Sequence, residues 1–281
     1  MLSPAKLNLF LAVTGRRADG FHDLVSVVAQ VDWGDELTAE RRDGGPSSLT
    51  CDVPEVPTGD DNLILRAAQA AGAADGWKFN LTKRVPMGAG LGGGSSNAAA
   101  TLKLIGAPSA AEIAATLGSD CPLFLRSQPI VMRGRGERVS ALPASAMARI
   151  EGRRVVIFKP PFGIATPWAY KQLAAGAPAS YLPPEKAEAQ LGAWLDDASR
   201  PLEELLYNNL EGPAFSKYPA LPALLDAVRR RHGVAARMTG SGSACFALLP
   251  KADHALESGI VQSAREAWGS QTFCVACTLS A

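Results

Sequence analysis

The sequence predicts a soluble protein of mixed helix and sheet, built as two domains or as one large α/β unit. Three observations predict it. The chain has 281 residues, 47% of them hydrophobic, enough to bury a sizeable core. In some stretches apolar residues alternate with period two, and in others they recur at i, i+3, i+4 and i+7, the patterns of strand and helix. Charge is balanced, 28 Lys+Arg against 27 Asp+Glu, so the composition is not that of a disordered chain and lacks the basic footprint of nucleic-acid binding.

Ala5 to Val13 alternates, with Leu7, Leu9, Leu11 and Val13 on one face and Lys6, Asn8, Phe10 and Ala12 on the other, which predicts a half-buried strand. Leu24 to Trp33 predicts a second strand; Gly34-Asp35 followed by Leu37 to Glu40 predicts a hairpin. Arg42 to Gly59 is rich in Gly, Pro, Ser and Asp and reads as loop with at most one short strand. Asp60-Asp61 can cap a helix bearing Leu63, Ile64, Ala67, Ala68 and Ala71, and Lys78 to Val85 alternates again as a strand. Ser109 to Glu112 has the form of a capping box, so a helix is expected over 110 to 117 with Gly118 as its stop.

Composition shifts between Leu142 and Arg154, and Val155 to Phe158 starts a fresh apolar strand. A boundary near residue 150 therefore gives domains 1–150 and 151–281. Pro178 to Pro184 and the helix-prone stretch after it read as a surface excursion. Helical spacing returns before Gly233 and again before Gly269, with β-like segments at Ala235 to Leu249 and Phe273 to Leu279. Arg229, Arg230 and Arg231 read as a solvated helix end.

Lys6 and Asn8 interrupt the first apolar stretch, which argues against a secretory signal, and no apolar run reaches the roughly 20 residues of a membrane span. Five cysteines, an odd number, point to a reducing compartment, hence a cytoplasmic protein. Cys274 and Cys277 form a C-x-x-C with no second pair and no His at finger spacing, so they read as ordinary thiols in a C-terminal strand.

The most informative segment runs Pro86, Met87, Gly88, Ala89, Gly90, Leu91, Gly92, Gly93, Gly94, Ser95, Ser96 between an extended run and the helix-favouring 98–104. Glycines allow close backbone approach, and a helix start offers free N–H groups at the positive end of a dipole. Together they make a phosphate cradle. A Walker A loop needs Lys after its last glycine, and Ser95 stands there. Gly88 to Gly93 satisfies G-x-G-x-x-G, yet the preceding strand carries Lys78, Asn80, Thr82 and Arg84 on one side, unlike the doubly buried strand of a dinucleotide fold. A second glycine loop spans Thr239, Gly240, Ser241 and Gly242, and Lys6 and Asp120 are the remaining candidates for chemistry.

These segments taken together resemble the GHMP small-molecule kinase superfamily, most closely its members that act on a cytidine-diphosphate-linked methylerythritol. The resemblance rests on Ser3 to Phe10 with Gly15 to Leu24, on Pro86 to Ser96, on Leu117 to Pro122 and on Thr239 to Ser243. Further matches run through Asn62-Leu63, Gly134 to Glu137, Pro160 to Pro167 and Asn208 to Glu211. It implies a two-domain α+β fold with the active site in the cleft between domains. It implies ATP with Mg²⁺ as cofactors and transfer of a phosphoryl group to the 2-hydroxyl of 4-diphosphocytidyl-2-C-methyl-D-erythritol, a step toward isoprenoid precursors by the non-mevalonate route.

By the same resemblance Asp120 is the base and Lys6 orients the hydroxyl. Asn8 lines the pocket, Phe21 and Tyr170 sandwich the cytosine, His22 fixes its polar edge and Thr166 lies nearby. Ser96 and Asp120 stand as candidate metal-side ligands, with no carboxylate cluster forcing the choice. The implied partners are the small-molecule substrate alone, with no nucleic acid and no membrane, for a monomer or weak homodimer. This chain departs from the pattern at Phe21, where the family often has Tyr, at Cys121, and in a shorter stretch from Ala100 to Gly118 that requires a helix ending near Ile105-Gly106. Homoserine- or mevalonate-type kinases and a non-catalytic nucleotide sensor are the alternatives. An NAD-dependent oxidoreductase is a more distant one.

Overall fold

The structure is a computed structural model and describes residues 1–250 and 252–280. Its contacts divide the chain into two compact units, the first made of Met1–Lys6, Gln30–Pro86 and Gly92–Ser127, the second of Leu7–Ala29, Met87–Leu91 and the chain from Gln128 onward. The first two strands, β1 (Leu2–Arg16) and β2 (His22–Pro46), run through both. The units are thus interleaved in sequence. Residue 150 lies inside the second of them, at the end of a helix.

The first unit adds β3 (Ser48–Cys51), α1 (Leu63–Ala70), β4 (Asp75–Thr82), α2 (Gly93–Leu104) and α3 (Ala110–Leu117). β4 pairs antiparallel with the far half of β2 and takes β3 in parallel on its other edge. Leu37, Leu49, Phe79 and Leu81 of these strands pack on Ile64 and Ala68 of α1 and Ala100 of α2, each large side chain contributing roughly 1.5–3 kcal/mol. Alanines 67, 98 and 114 with Leu102 and Cys121 form a second cluster, small residues that let helices approach closely. The cap of α1 is Asn62, whose side chain accepts from the Ile64 amide at 2.9 Å, rather than Asp60 or Asp61. α2 ends at Leu104, as the shortened segment requires. α3 has the expected bounds, but Ser109 makes no side-chain cap bond.

Two expectations about the strands are overturned. β1 is buried on both faces from Ala5 through Val13, because its polar face turns inward toward partners instead of water. No hairpin forms at Gly34-Asp35, since β2 continues straight through. A Cβ at Gly34 would collide with the Ser3 carbonyl oxygen, so the glycine marks a close backbone approach, the other meaning of glycine in a strand. Asp35, fully buried, accepts the Arg84 and Val85 amides at 2.7 Å each and pairs with the Lys83 ammonium.

The second unit contains β5 (Ile130–Gly134), β6 (Arg138–Ala141), α4 (Ala144–Ile150), β7 (Arg154–Lys159), α5 (Thr166–Ala175), α6 (Pro184–Asp196), β8 (Tyr207–Asn208), α7 (Glu211–Lys217), α8 (Ala220–His232), β9 (Ala235–Met238), β10 (Cys245–Leu248), α9 (His254–Trp268) and β11 (Phe273–Thr278). β11, β7, β10 and β9 form an antiparallel sheet in that order. Val156, Phe158, Met238 and Ala247 of that sheet pack on Leu221, Leu225 and Val228 of α8 and on Ile260 and Ala264 of α9. Asp253 caps α9 through the Ala255 and Leu256 amides. β5 pairs with the near part of β2 and with β6, and the two residues of β8 lie parallel to β1 with Phe10 opposite Tyr207. α6, the expected excursion, buries Ala187, Leu191 and Trp194.

Among the described residues no helix is long and apolar enough to cross a membrane. Among the described residues no disulfide is formed, the C-x-x-C lies in β11, and burial pushes the Cys274 thiol up to about 11.

Candidate active site

In the first unit the end of the first glycine loop forms the start of α2. Gly92 caps the helix in the left-handed conformation (φ 75°), so Gly93, Gly94, Ser95 and Ser96 form its first turn rather than a loop. The Ser96 amide donates to the Gly92 carbonyl at 2.9 Å, while the N–H groups of Gly93, Gly94 and Ser95 come too early to have a carbonyl partner within the helix and lie at its positive end. A Cβ at Gly92 would come within 2.8 Å of the Phe124 ring and 3.1 Å of the Lys6 side chain. Glycine is therefore required there both by φ and by space. The Ser3 hydroxyl donates to Asn97 Oδ1 at 2.6 Å and lies 2.8 Å from the Ser96 hydroxyl, which fixes the turn from below.

Lys6 projects from β1 with its Nζ 3.9 Å from Asp120 Oδ2, which follows α3 and precedes the 3₁₀ turn Pro122–Leu125. The lysine side chain is 5% exposed and the aspartate 41%. Burial pulls the Lys6 ammonium below its ordinary range, partly offset by the Asp120 carboxylate. The pair is asymmetric: a cation held in the interior beside a carboxylate open to solvent. The Cys121 thiol, pushed up by burial, sits beside Ser95, and the residue packs in the cluster of small side chains between the helices.

In the second unit the two glycine loops meet. Gly90 is left-handed (φ 76°), and a Cβ on it would lie 2.7 Å from the Thr239 carbonyl and 3.1 Å from the Gly242 nitrogen. The Ala244 amide donates to the Ala89 carbonyl at 3.1 Å. Thr239 Oγ1 accepts the Asn8 backbone amide at 2.9 Å, the Asn8 side chain donates to Ser26 Oγ at 2.9 Å, and the Thr166 and Ser241 hydroxyls are 2.8 Å apart. Asn8, Thr166, Thr239 and Ser241 are thus linked to one loop.

A ring cluster stands in the same unit. The His22 and Tyr170 ring centroids are 5.0 Å apart, and Tyr181 lies 6.1 Å from His22. Burial, followed by the Arg16 charge, pulls His22 below its ordinary range. His22 Nε2 and the Tyr181 hydroxyl are buried without hydrogen-bond partners. Phe21 is 51% exposed with the Arg135 guanidinium 5.2 Å over its ring. Tyr181 and Arg135 are additions to the residues named from sequence. Arg135 falls in the matched Gly134 to Glu137 segment, whereas nothing in the Pro178 to Pro184 stretch singles out Tyr181.

Comparison with known proteins bears on this arrangement. Residues 62–120 match the model of the GHMP kinases N-terminal domain and residues 192–259 that of the GHMP kinases C-terminal region. A 4-diphosphocytidyl-2-C-methyl-D-erythritol kinase from Salinibacter ruber is 39% identical over 260 residues, 88% of each chain. One from Ruegeria pomeroyi is 36% identical over 281 residues, 95% of each chain. A crystal structure of a 4-(cytidine 5'-diphospho)-2C-methyl-D-erythritol kinase superposes with a TM-score of 0.78 at 35% identity, covering 100% of this chain and 99% of its own. On identity, coverage and fold together, this chain belongs to the 4-diphosphocytidyl-2-C-methyl-D-erythritol kinase family of GHMP kinases.

Proposed function

We propose that this small-molecule kinase transfers the γ-phosphoryl group of ATP to the 2-hydroxyl of 4-diphosphocytidyl-2-C-methyl-D-erythritol. The observation that carries the reading is the Lys6–Asp120 pair in a chain of this family. Asp120 Oδ takes the hydroxyl proton, the freed oxygen bonds to the γ-phosphorus, the bond to the β-γ bridging oxygen breaks, and ADP leaves. The Asp120 proton then passes to solvent, to which that side chain is open. Lys6 orients the hydroxyl and offsets negative charge as it develops. Phosphoryl transfer depends mainly on positioning and charge neutralisation, and the first-turn amides of α2 serve both ends.

On the acceptor side, Phe21 and Tyr170 hold the cytosine by its faces, an interaction worth roughly 1–3 kcal/mol per base. His22 meets the polar edge, with Asn8 and Thr166 lining the pocket. Mg²⁺ bound with the triphosphate neutralises phosphate charge and needs only one or two protein oxygens. Asp120, open to solvent, fits that need. Ser96 fits it less well, being buried with its hydroxyl against Ser3. The reading extends to family domains at 1–150 and 151–281, a cytoplasmic location, a monomer or weak homodimer, and no nucleic-acid partner.

The test is coupled ADP release with the cytidine-linked substrate, with CDP alone, and with homoserine or mevalonate. Turnover with the cytidine-linked alcohol only is expected. Turnover confined to homoserine or mevalonate overturns the substrate and leaves the kinase class standing.

A further inference from the structure

We propose that Asn208 and Glu211 are positioning residues for phosphoryl transfer, holding the second glycine loop, Thr239 to Gly242, in register with the first, Pro86 to Ser96. The proposal rests on the kinase reading above and assigns a task to the Asn208-Asn-Leu-Glu211 segment.

The Asn208 carboxamide nitrogen has two N–H donors, and both are used, one on the Met238 carbonyl and one on the Gly240 carbonyl, each at 2.9 Å. Its oxygen accepts the Leu210 amide at 3.0 Å, at the start of α7. Glu211 Oε1 accepts the Met238 amide at 2.9 Å and Oε2 accepts Arg237 Nη1 at 3.1 Å. One four-residue segment therefore grips the approach to the loop by carbonyl, amide and side chain. Asn209 ties the same segment to β1, its oxygen accepting the Val13 amide and its nitrogen donating to the Val13 carbonyl, both at 2.9 Å.

The loop so held carries the contacts that matter. It presents Thr239 to the Asn8 amide and Ser241 to Thr166, and its backbone lies against Gly90 with no room for a methyl group. Its own closure is slight, the Gly242 amide on the Thr239 carbonyl at 3.0 Å and the Thr239 amide on the Ala244 carbonyl at 3.0 Å. Without Asn208 two buried carbonyls lose their donors, and the cheapest repair is movement of the loop toward other donors. An ångström of misplacement costs about 10²-fold in rate.

Asn208→Asp tests this, because it keeps the acceptor for Leu210 but sets carboxylate oxygen against the Met238 and Gly240 carbonyls. The expected result is kcat lower by ~10- to 100-fold, CDP affinity within about twofold of the parent, and faster hydrogen exchange at the amides of residues 240–243. Leu221→Ala, a cavity in α8, supplies the structural comparison: at an equal or greater drop in thermal midpoint it keeps kcat within about twofold. Glu211→Gln retains an oxygen for the Met238 amide and should keep most of the activity that Glu211→Ala loses. If Asn208→Asp does not fold, the Glu211 pair carries the test. Parental kcat in these variants, unchanged loop exchange, or an equal kcat loss in Leu221→Ala overturns the proposal. A parent enzyme inactive on the cytidine-linked substrate overturns the kinase reading instead, and the exchange measurement still decides whether Asn208 holds the loop.

Discussion

Lys6 meets opposing demands, because burial disfavours the charge that its proposed role requires. Its ammonium is held below the ordinary lysine value of 10.5 by burial and raised only in part by Asp120. If the charged form is the active one, kcat/KM falls as pH rises through the lowered value, placing the alkaline limb below 10.5. In Lys6→Arg, whose guanidinium stays charged, that limb should vanish from whatever activity remains; a limb unchanged in that variant assigns it to another group. Asp120→Asn removes the proposed base while keeping shape, so nucleotide affinity should hold and turnover drop by about 10²–10⁴-fold. Steady-state rates equal to the parent's would take Asp120 out of the mechanism. At this scale period two was enough to put Lys6 and Asn8 on one face. It could not say that the face is buried, because alternation distinguishes two sides of a strand without telling which side meets water. Tyr181 was invisible for a related reason: its place beside His22 depends on a contact between residues 159 positions apart in the chain.

Gly34-Asp35 illustrates what local pattern confuses. A Gly-Asp pair between apolar runs signals a hairpin, and the same two residues here serve a close backbone approach and a buried anchor. Asp35 holds the amides of Arg84 and Val85, so the segment entering the first glycine loop is fixed by a side chain from a distant strand. Gly34→Ala should destabilise the protein by at least about 2 kcal/mol in urea unfolding. Gly15→Ala, where a Cβ meets nothing within 4 Å, should stay within about 0.5 kcal/mol. Equal effects would mean that the approach at Gly34 is not tight. Helices with long amphipathic faces, α8 and α9, were legible with their glycine stops. β5 was not, because four of its five residues are buried and no alternation survives. The seven-residue α4 and α7 are too short to display a period.

For the whole molecule, composition and length limited the answer to mixed helix and sheet, and the motifs spread along the chain identified the family. Interleaving was beyond the sequence. Nothing in a local window reveals that β1 and β2, 15 and 25 residues long, each contribute to two compact units. That sharing has a thermodynamic consequence. Neither unit can melt alone without tearing strand segments from continuous strands whose remainder is still folded. Differential scanning calorimetry should therefore show one endotherm whose van't Hoff and calorimetric enthalpies agree, where two beads on a string would give two.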